Sequence, residues 1–148
     1  MFNSVSSVLF NNENIPYKNN VPLAKRVYES NRILAKYSSH IPVIVSYNDK
    51  LLKKEGKDKL IPKNKFLVPR DITCSQFLYT LRSQLKLHST HAVFIFCDNK
   101  LLNGSKLMSE IYDEYMQTHG SDCDRFIYFW VLGENTFGIN RSKIPFQN

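Results

Sequence analysis

The sequence lacks most of the features that announce an enzyme, a secreted protein or a membrane span. Its three cysteines, Cys74, Cys97 and Cys123, form no CxxC pair, and their odd number argues against a disulfide framework. A reduced, intracellular protein is expected. No apolar run approaches the roughly 20 residues that a helix needs to cross a bilayer. The opening MFNSVSSVLFNNENIPYKNN has neither a basic n-region nor an adequate apolar h-region, so no secretory leader is expected. Internal repeats are absent. So are GxSxG and any comparable serine arrangement, and no cysteine has an evident histidine partner in sequence. Gly133 and Gly138 bracket ENTF without leading a strand into a helix, which argues against a phosphate-cradling loop. His88 and His91 stand at HxxH spacing with no cysteine or carboxylate cluster, and read as a solvated pair rather than metal ligands. Asp122 and Asp124 read as turn residues. The chain is not expected to be an enzyme, and no metal or cofactor site is expected.

What is present describes a globular domain. The 148 residues are 43% apolar and 13% aromatic, enough for a single core. The formal net charge of +7 points to acidic partners, whether peptide, anionic lipid or nucleic acid. Residues 1–20 are asparagine-rich with little periodicity, and a flexible arm is expected there. In VPLAKRVYESNRILAKY, Pro22 suits a first helical turn, and Leu23, Val27, Leu34 and Tyr37 fall on one side of a helix. HIPVIVSY reads as a strand and KFLVP as a second, joined by a lysine-rich loop, so the two pair as an antiparallel hairpin. DITCSQFLYTLRSQLKL is a helix with a capping box from Thr73 to Gln76 and an apolar face at Phe77, Leu81 and Leu85. AVFIFC is a buried strand that ends at an Asp98–Asn99 turn, SKLMSEIYDEYM a short helix, and RFIYFWVL a central strand, apolar on both faces. A hairpin, a long helix and two further strands give an α+β fold of the ubiquitin-like β-grasp type, with an additional N-terminal helical segment.

Two stretches carry functional signal. Between Lys50 and Lys65 there are seven lysines against Glu55 and Asp58. This is either a solvated loop or a surface that attracts acidic peptides. It lacks the interleaved arginines and aromatics of a nucleic-acid surface, and no nucleic-acid partner is expected. KFLVP could stand at a sheet edge and accept an extended peptide by strand addition; alternatively, Phe66, Leu67 and Val68 are core residues.

The segments KRVYESNRI, IPVIV, KFLVPRDIT with QF three residues on, AVFIF, LMSEIYDEY and GENTFG occur in one order across Leu23 to Gly138. Together they resemble the autophagy-related ubiquitin-like modifiers, the family of GABARAP and the microtubule-associated protein light chains. The resemblance implies a precursor cut after Gly138, before Ile139, with Phe137 as an apolar handle. Residues 21–138 would be the ubiquitin-like domain and residues 139–148 a propeptide. It further implies covalent attachment of Gly138 to phosphatidylethanolamine, and a place in the cytoplasm, on autophagosome membranes and on cytoplasmic vesicles. The implied partners are a cysteine protease of the autophagy pathway, activating and conjugating enzymes, and receptors with aromatic-x-x-aliphatic motifs. For those motifs, Glu29, Pro42, Ile44, Lys65, Leu67 and Phe126 would line an aromatic pocket. Phe66, Val68, Pro69, Ile72 and Phe77 would surround an aliphatic one, and Arg32, Lys63 and Lys65 would attract flanking acids. The chain departs from the family at Ser83 and Gln84, where a basic run is common, and at Thr80, usually apolar. Ser83, Gln84 and the ten-residue tail leave a second reading, an unconjugated ubiquitin-fold adaptor that keeps only the peptide groove.

Overall fold

A computed structural model describes residues 15–47, 63–85, 92–120 and 123–133. In chain order the elements are α1 (Pro16–Asn20), α2 (Leu23–Lys36), β1 (His40–Tyr47), β2 (Lys65–Pro69), α3 (Cys74–Leu85), β3 (Val93–Cys97), β4 (Lys100–Leu101), α4 (Met108–His119) and β5 (Ile127–Gly133). The strands form one mixed sheet in the order β2-β1-β5-β3-β4. The last strand is central, as its two-sided apolar pattern requires. It runs parallel to β1, with Val43 opposite Ile127, and antiparallel to β3, with Phe96 opposite Trp130. The hairpin of β1 and β2 is antiparallel as expected, with Ile44 opposite Lys65 and Pro42 opposite Leu67.

Local chemistry sets the element ends. The Thr73 amide donates to Gln76 Oε1 at 2.8 Å and the Gln76 amide to Thr73 Oγ1 at 3.2 Å, the reciprocal capping box that the sequence announced. Asp98 and Asn99 both take positive φ, 51° and 65°, which gives the tight turn from β3 into β4 a twist matched to the strands. Two-residue β4 has no pattern of its own in the sequence.

Because β5 is apolar on both faces, both are covered. The inner face receives Phe77 and Leu81 of α3 and Ile111 and Tyr115 of α4, all buried. The outer face receives α1 and α2. Here two expectations need correction. The flexible arm does not extend to residue 20: Ile15 is 2% exposed and Tyr17 9%, both in the main core, and the segment between them and Asn20 is helical. Pro16, at the first turn, presets φ for a helix that packing then holds. Residues 1–14 lie outside the described residues.

The second correction concerns α2. Leu23 and Tyr37 do not face the sheet; they are 46% and 39% exposed. The docking line is instead Arg26, Ser30 and Ile33, with Ser30 fully buried. Ser30 Oγ donates to the Val27 carbonyl and accepts the Arg125 amide at 2.9 Å, so a small polar side chain lets the helix approach the sheet closely. Arg26 donates to Asp124 and reaches the Tyr128 hydroxyl at 3.4 Å. Asp124, expected as a turn residue, is buried and also accepts the Phe126 amide and the Tyr128 hydroxyl. Bonds to buried polar groups, not an apolar stripe, fix this helix.

If Ile15 belongs to the core, Ile15→Ala costs about 2–5 kcal/mol of unfolding free energy, measured by urea denaturation. A loss within about 0.5 kcal/mol, the size of a surface change, contradicts the docking.

Candidate functional site

Strand β2 is an edge: it pairs with β1 on one side, and among the described residues no strand pairs with the other. The hydrogen-bond phase follows from both ends of the hairpin, where the Val45 amide donates to Asn64 and the Arg70 amide to Ser39. In an antiparallel ladder, bonded pairs alternate with non-bonded ones. Phe66 and Val68 therefore face β1 with their backbone groups, and the amides of Lys65 and Leu67 point outward to the edge. Pro42 is tolerated within β1 for the same reason, since it stands opposite Leu67 in a non-bonded pair.

Side chains alternate along β2 as well, exposed at Lys65 and Leu67, buried at Phe66 and Val68. Lys65 and Leu67 share the outer face with their partners Ile44 and Pro42, beneath α2. On the inner face Phe66 meets Phe77 of α3 edge-on, ring centroids 5.6 Å apart. The two residue groups implied for an aromatic and an aliphatic pocket thus fall on opposite faces of the sheet, flanking one strand edge. Leu67, 40% exposed, is the apolar side chain on the edge that solvent reaches. Pro69 and Ile72 are half-buried at the end of β2, and Ile44, Phe126, Val68 and Phe77 form the enclosed floor. Arg32 and Lys63 are exposed beside them, Lys63 Nζ lying 5.1 Å above the Phe66 ring.

The outer face is closed by a group that the sequence did not reveal. Lys65 Nζ donates to Glu29 Oε1 at 2.7 Å, and the Tyr17 hydroxyl donates to Glu29 Oε2 at 3.1 Å. Lys65 Nζ also sits 5.1 Å above the Tyr17 ring, which packs edge-on against Phe126 at 5.7 Å. The signal for Tyr17 was the Ile15–Tyr17 pair around Pro16, hidden among asparagines. The bond from Lys65 holds the Glu29 carboxyl below the usual glutamate range, against the opposing effect of burial. Burial alone would lower the Lys65 ammonium, but its bonds to Glu29 and Tyr17 leave it raised. Burial pushes the Cys74 thiol up to about 11, which leaves it un-ionised near neutrality and a poor nucleophile. A separate recess of about 160 Å³ between α3 and the β3–β4 hairpin shares no lining residue with the β2 edge.

Gly138, Phe137 and the lysine-rich loop between Asn48 and Pro62 lie outside the described residues, as do His88 and His91. Among the described residues no helix is long and apolar enough to cross a membrane.

Because the Glu29 pKa is depressed on folding, its charge stabilises the fold above the ordinary glutamate value of about 4.3, and the effect is lost as pH falls through the folded value. Wild type and Glu29→Gln differ by about 0.2–1 kcal/mol at neutral pH, as a partly exposed pair allows. Their urea midpoints converge in acid. A gap that persists unchanged below the depressed pKa contradicts the pairing.

Comparison with known proteins shows the family. Residues 25–138 match the family described as "Autophagy protein Atg8 ubiquitin like". Autophagy-related protein 8A of Oryza sativa subsp. indica is 45% identical over 117 residues, 79% of this chain and 90% of that protein. Autophagy-related protein 8 of Emericella nidulans is 43% identical over 123 residues, 82% and 95% of the two chains. Among solved structures, Trypanosoma brucei ATG8 superposes with a TM-score of 0.66 at 26% identity, over 82% of this chain and 96% of that one. Plasmodium falciparum Atg8, solved with a Plasmodium falciparum Atg3 peptide, gives 0.62 at 24% identity, over 80% and 95%. The fold is the α+β ubiquitin-like β-grasp with two added N-terminal helices, and the chain belongs to the Atg8 family of autophagy ubiquitin-like proteins.

Proposed function

We propose that this protein is a conjugated modifier that recruits partners through the β2 edge. The observation that carries the reading is the edge itself: outward amides at Lys65 and Leu67, with one apolar surface on each face of the same strand, Ile44 and Leu67 on the outer side and Phe66 and Val68 on the inner. An extended aromatic-x-x-aliphatic peptide fits such an edge by adding a strand. Its backbone bonds to Lys65 and Leu67, and its two anchors fall on the two faces. Acidic residues beside the motif take over Lys65 from Glu29 and engage Arg32 and Lys63. Charges of this kind set encounter rate and specificity more than affinity.

Conjugation proceeds from the other end. The family match stops at residue 138, a glycine, in GENTFG. A residue without Cβ threads the narrow sites of a cysteine protease and an activating enzyme. Cleavage before Ile139 frees the Gly138 carboxylate; the activating enzyme adenylates it with ATP, releasing pyrophosphate, and a cysteine thiolate displaces AMP to form the thioester that passes to the conjugating enzyme. The amine of phosphatidylethanolamine then displaces the thiol and forms an amide. Acyl chains at about 0.8 kcal/mol per buried methylene hold the domain on autophagosomal and vesicle membranes. The receptors bind at β2. The Plasmodium protein's Atg3 peptide makes a conjugating enzyme a further candidate partner. The unconjugated adaptor is favoured by one observation, Ser83 and Gln84 exposed on α3 in place of basic residues.

Two measurements test this. A labelled acidic aromatic-x-x-aliphatic peptide binds the wild type and loses roughly tenfold or more in affinity, about 1.4 kcal/mol, to the Lys65→Ala, Leu67→Ala double variant; equal binding sinks the groove. Intact mass of N-terminally tagged protein from its own cells shows a species lacking Ile139–Asn148 or carrying a phospholipid, absent in Gly138→Ala. Full-length protein in both, under starvation, leaves the adaptor.

A further inference from the structure

The two sides of the β2 edge carry opposite charge. On the outer side Glu29 of α2 meets Lys65, and Lys25, Arg32 and Lys36 share its stripe at helical spacing. The helix ends at Lys36, and the chain turns through Tyr37, whose ring packs on His40, opposite Pro69. α2 therefore runs beside β2 in the same direction, with Glu29 at the Lys65 end and Lys36 at the Pro69 end. The lengths agree: Glu29 to Lys36 is about 10 Å of helix, and Lys65 to Pro69 about 13 Å of strand. Arg32 and Lys36 are exposed, and neither has a hydrogen bond or ion pair among the described residues.

On the inner side the chain leaving β2 meets α4, which carries Glu110, Asp113 and Glu114. Arg70 and Lys106 pair with Asp113 and Glu114, which leaves Glu110 without an ion-pair partner among the described residues. The exposed residues of α3, among them Gln76, Thr80 and Ser83, are uncharged.

If a peptide adds to this edge as proposed above, its direction follows from the two residue groups that flank it. Lys65 and Leu67 border the outer, aromatic side; Val68, Pro69 and Ile72 border the aliphatic side, further along the chain. A peptide with its aromatic anchor first thus runs parallel to β2. Residues side by side on neighbouring strands point to the same face. With the aromatic anchor beside Lys65, the aliphatic anchor falls beside Val68. The second and fourth residues after the aromatic fall beside Leu67 and Pro69, facing Arg32 and Lys36. The first and fifth fall beside Phe66 and Arg70 and face inward, toward α3 and α4.

We propose that α2 makes this groove selective for acidic side chains at the second and fourth positions after the aromatic anchor, with Arg32 and Lys36 as their partners. At the first and fifth positions an acid meets no free cation and approaches the carboxylates of α4, which disfavour it.

Three labelled peptides test this on the full chain by fluorescence anisotropy. All carry acids before the aromatic anchor. The parent has alanine at the first, second, fourth and fifth positions after it; one variant has glutamate at the second and fourth, the other at the first and fifth. The second-and-fourth peptide binds about threefold or more tighter than the parent at low salt, as two exposed ion pairs allow. The first-and-fifth peptide binds no tighter than the parent. The gain shrinks as salt rises and disappears in Arg32→Ala, Lys36→Ala, whose fold is checked by circular dichroism. Equal gains for the two glutamate pairs, no gain at the second and fourth positions, or a gain kept by the double variant overturns the proposal. A parent that fails to bind removes strand addition itself, and this selectivity with it; a parent that binds without these differences removes the selectivity alone.

Discussion

The structure depends on one constraint: β5 is apolar on both faces and sits in the middle of the sheet, so it has to be covered twice. The ubiquitin-like helices α3 and α4 cover the inner face. The outer face would be open in a bare β-grasp, and α1 and α2 close part of it. Their attachment is polar at its centre. Arg26, Asp124 and Tyr128 form a buried network where β5 begins, and Ser30 binds the Arg125 amide beside it. Removing one partner from such a network leaves the other buried and unsatisfied, at a cost of about 3–5 kcal/mol. This gives the outer helices a fixed seat.

The fixed seat makes the groove. With α2 held over β1, Glu29 stands beside the edge strand and Tyr17 closes the space beneath it. On the inner side α3 brings Phe77 against Phe66. The far end of β2 is held to α4, where Arg70 pairs with Asp113 and the Ser109 amide bonds to the Arg70 carbonyl. The edge strand is therefore rigid at its end and supported on both faces, yet its outward backbone groups meet no described strand. Most proteins blunt such an edge with charge or cover. Here Lys65 supplies the charge, and its partner Glu29 belongs to the same fold, so the guard is electrostatic and exchangeable.

Much of this was legible in the sequence because it rests on local rules. The KFLVP strand, the two-sided apolar run of RFIYFWVL, the Thr73–Gln76 box and the Asp98–Asn99 turn each have a short-range cause, and each stands where the pattern placed it. The failures were long-range. Tyr17 has no local signal, because its partners, Phe126, Tyr128 and Glu29, lie more than ten residues away. Leu23 and Tyr37 have the right spacing for a buried stripe, but Arg26 and Ser30 find their partners on a distant strand and rotate the helix to face them. Asp124 looks like any turn aspartate until Arg26 arrives. Of the implied site, the division into two pockets follows from the period of a strand. Glu29 opposite Lys65 needed the family resemblance, since no local pattern pairs residues from a helix and a remote edge.

Strand addition at β2 is the central claim, and residue-resolved amide hydrogen exchange with and without an acidic aromatic-x-x-aliphatic peptide tests it most directly. Addition to this edge slows exchange at Lys65 and Leu67, whose amides point outward, and leaves Phe66 and Val68, already bonded to β1, little changed. Protection that appears at β4 instead, or nowhere along Lys65–Pro69 while the peptide binds, would contradict it.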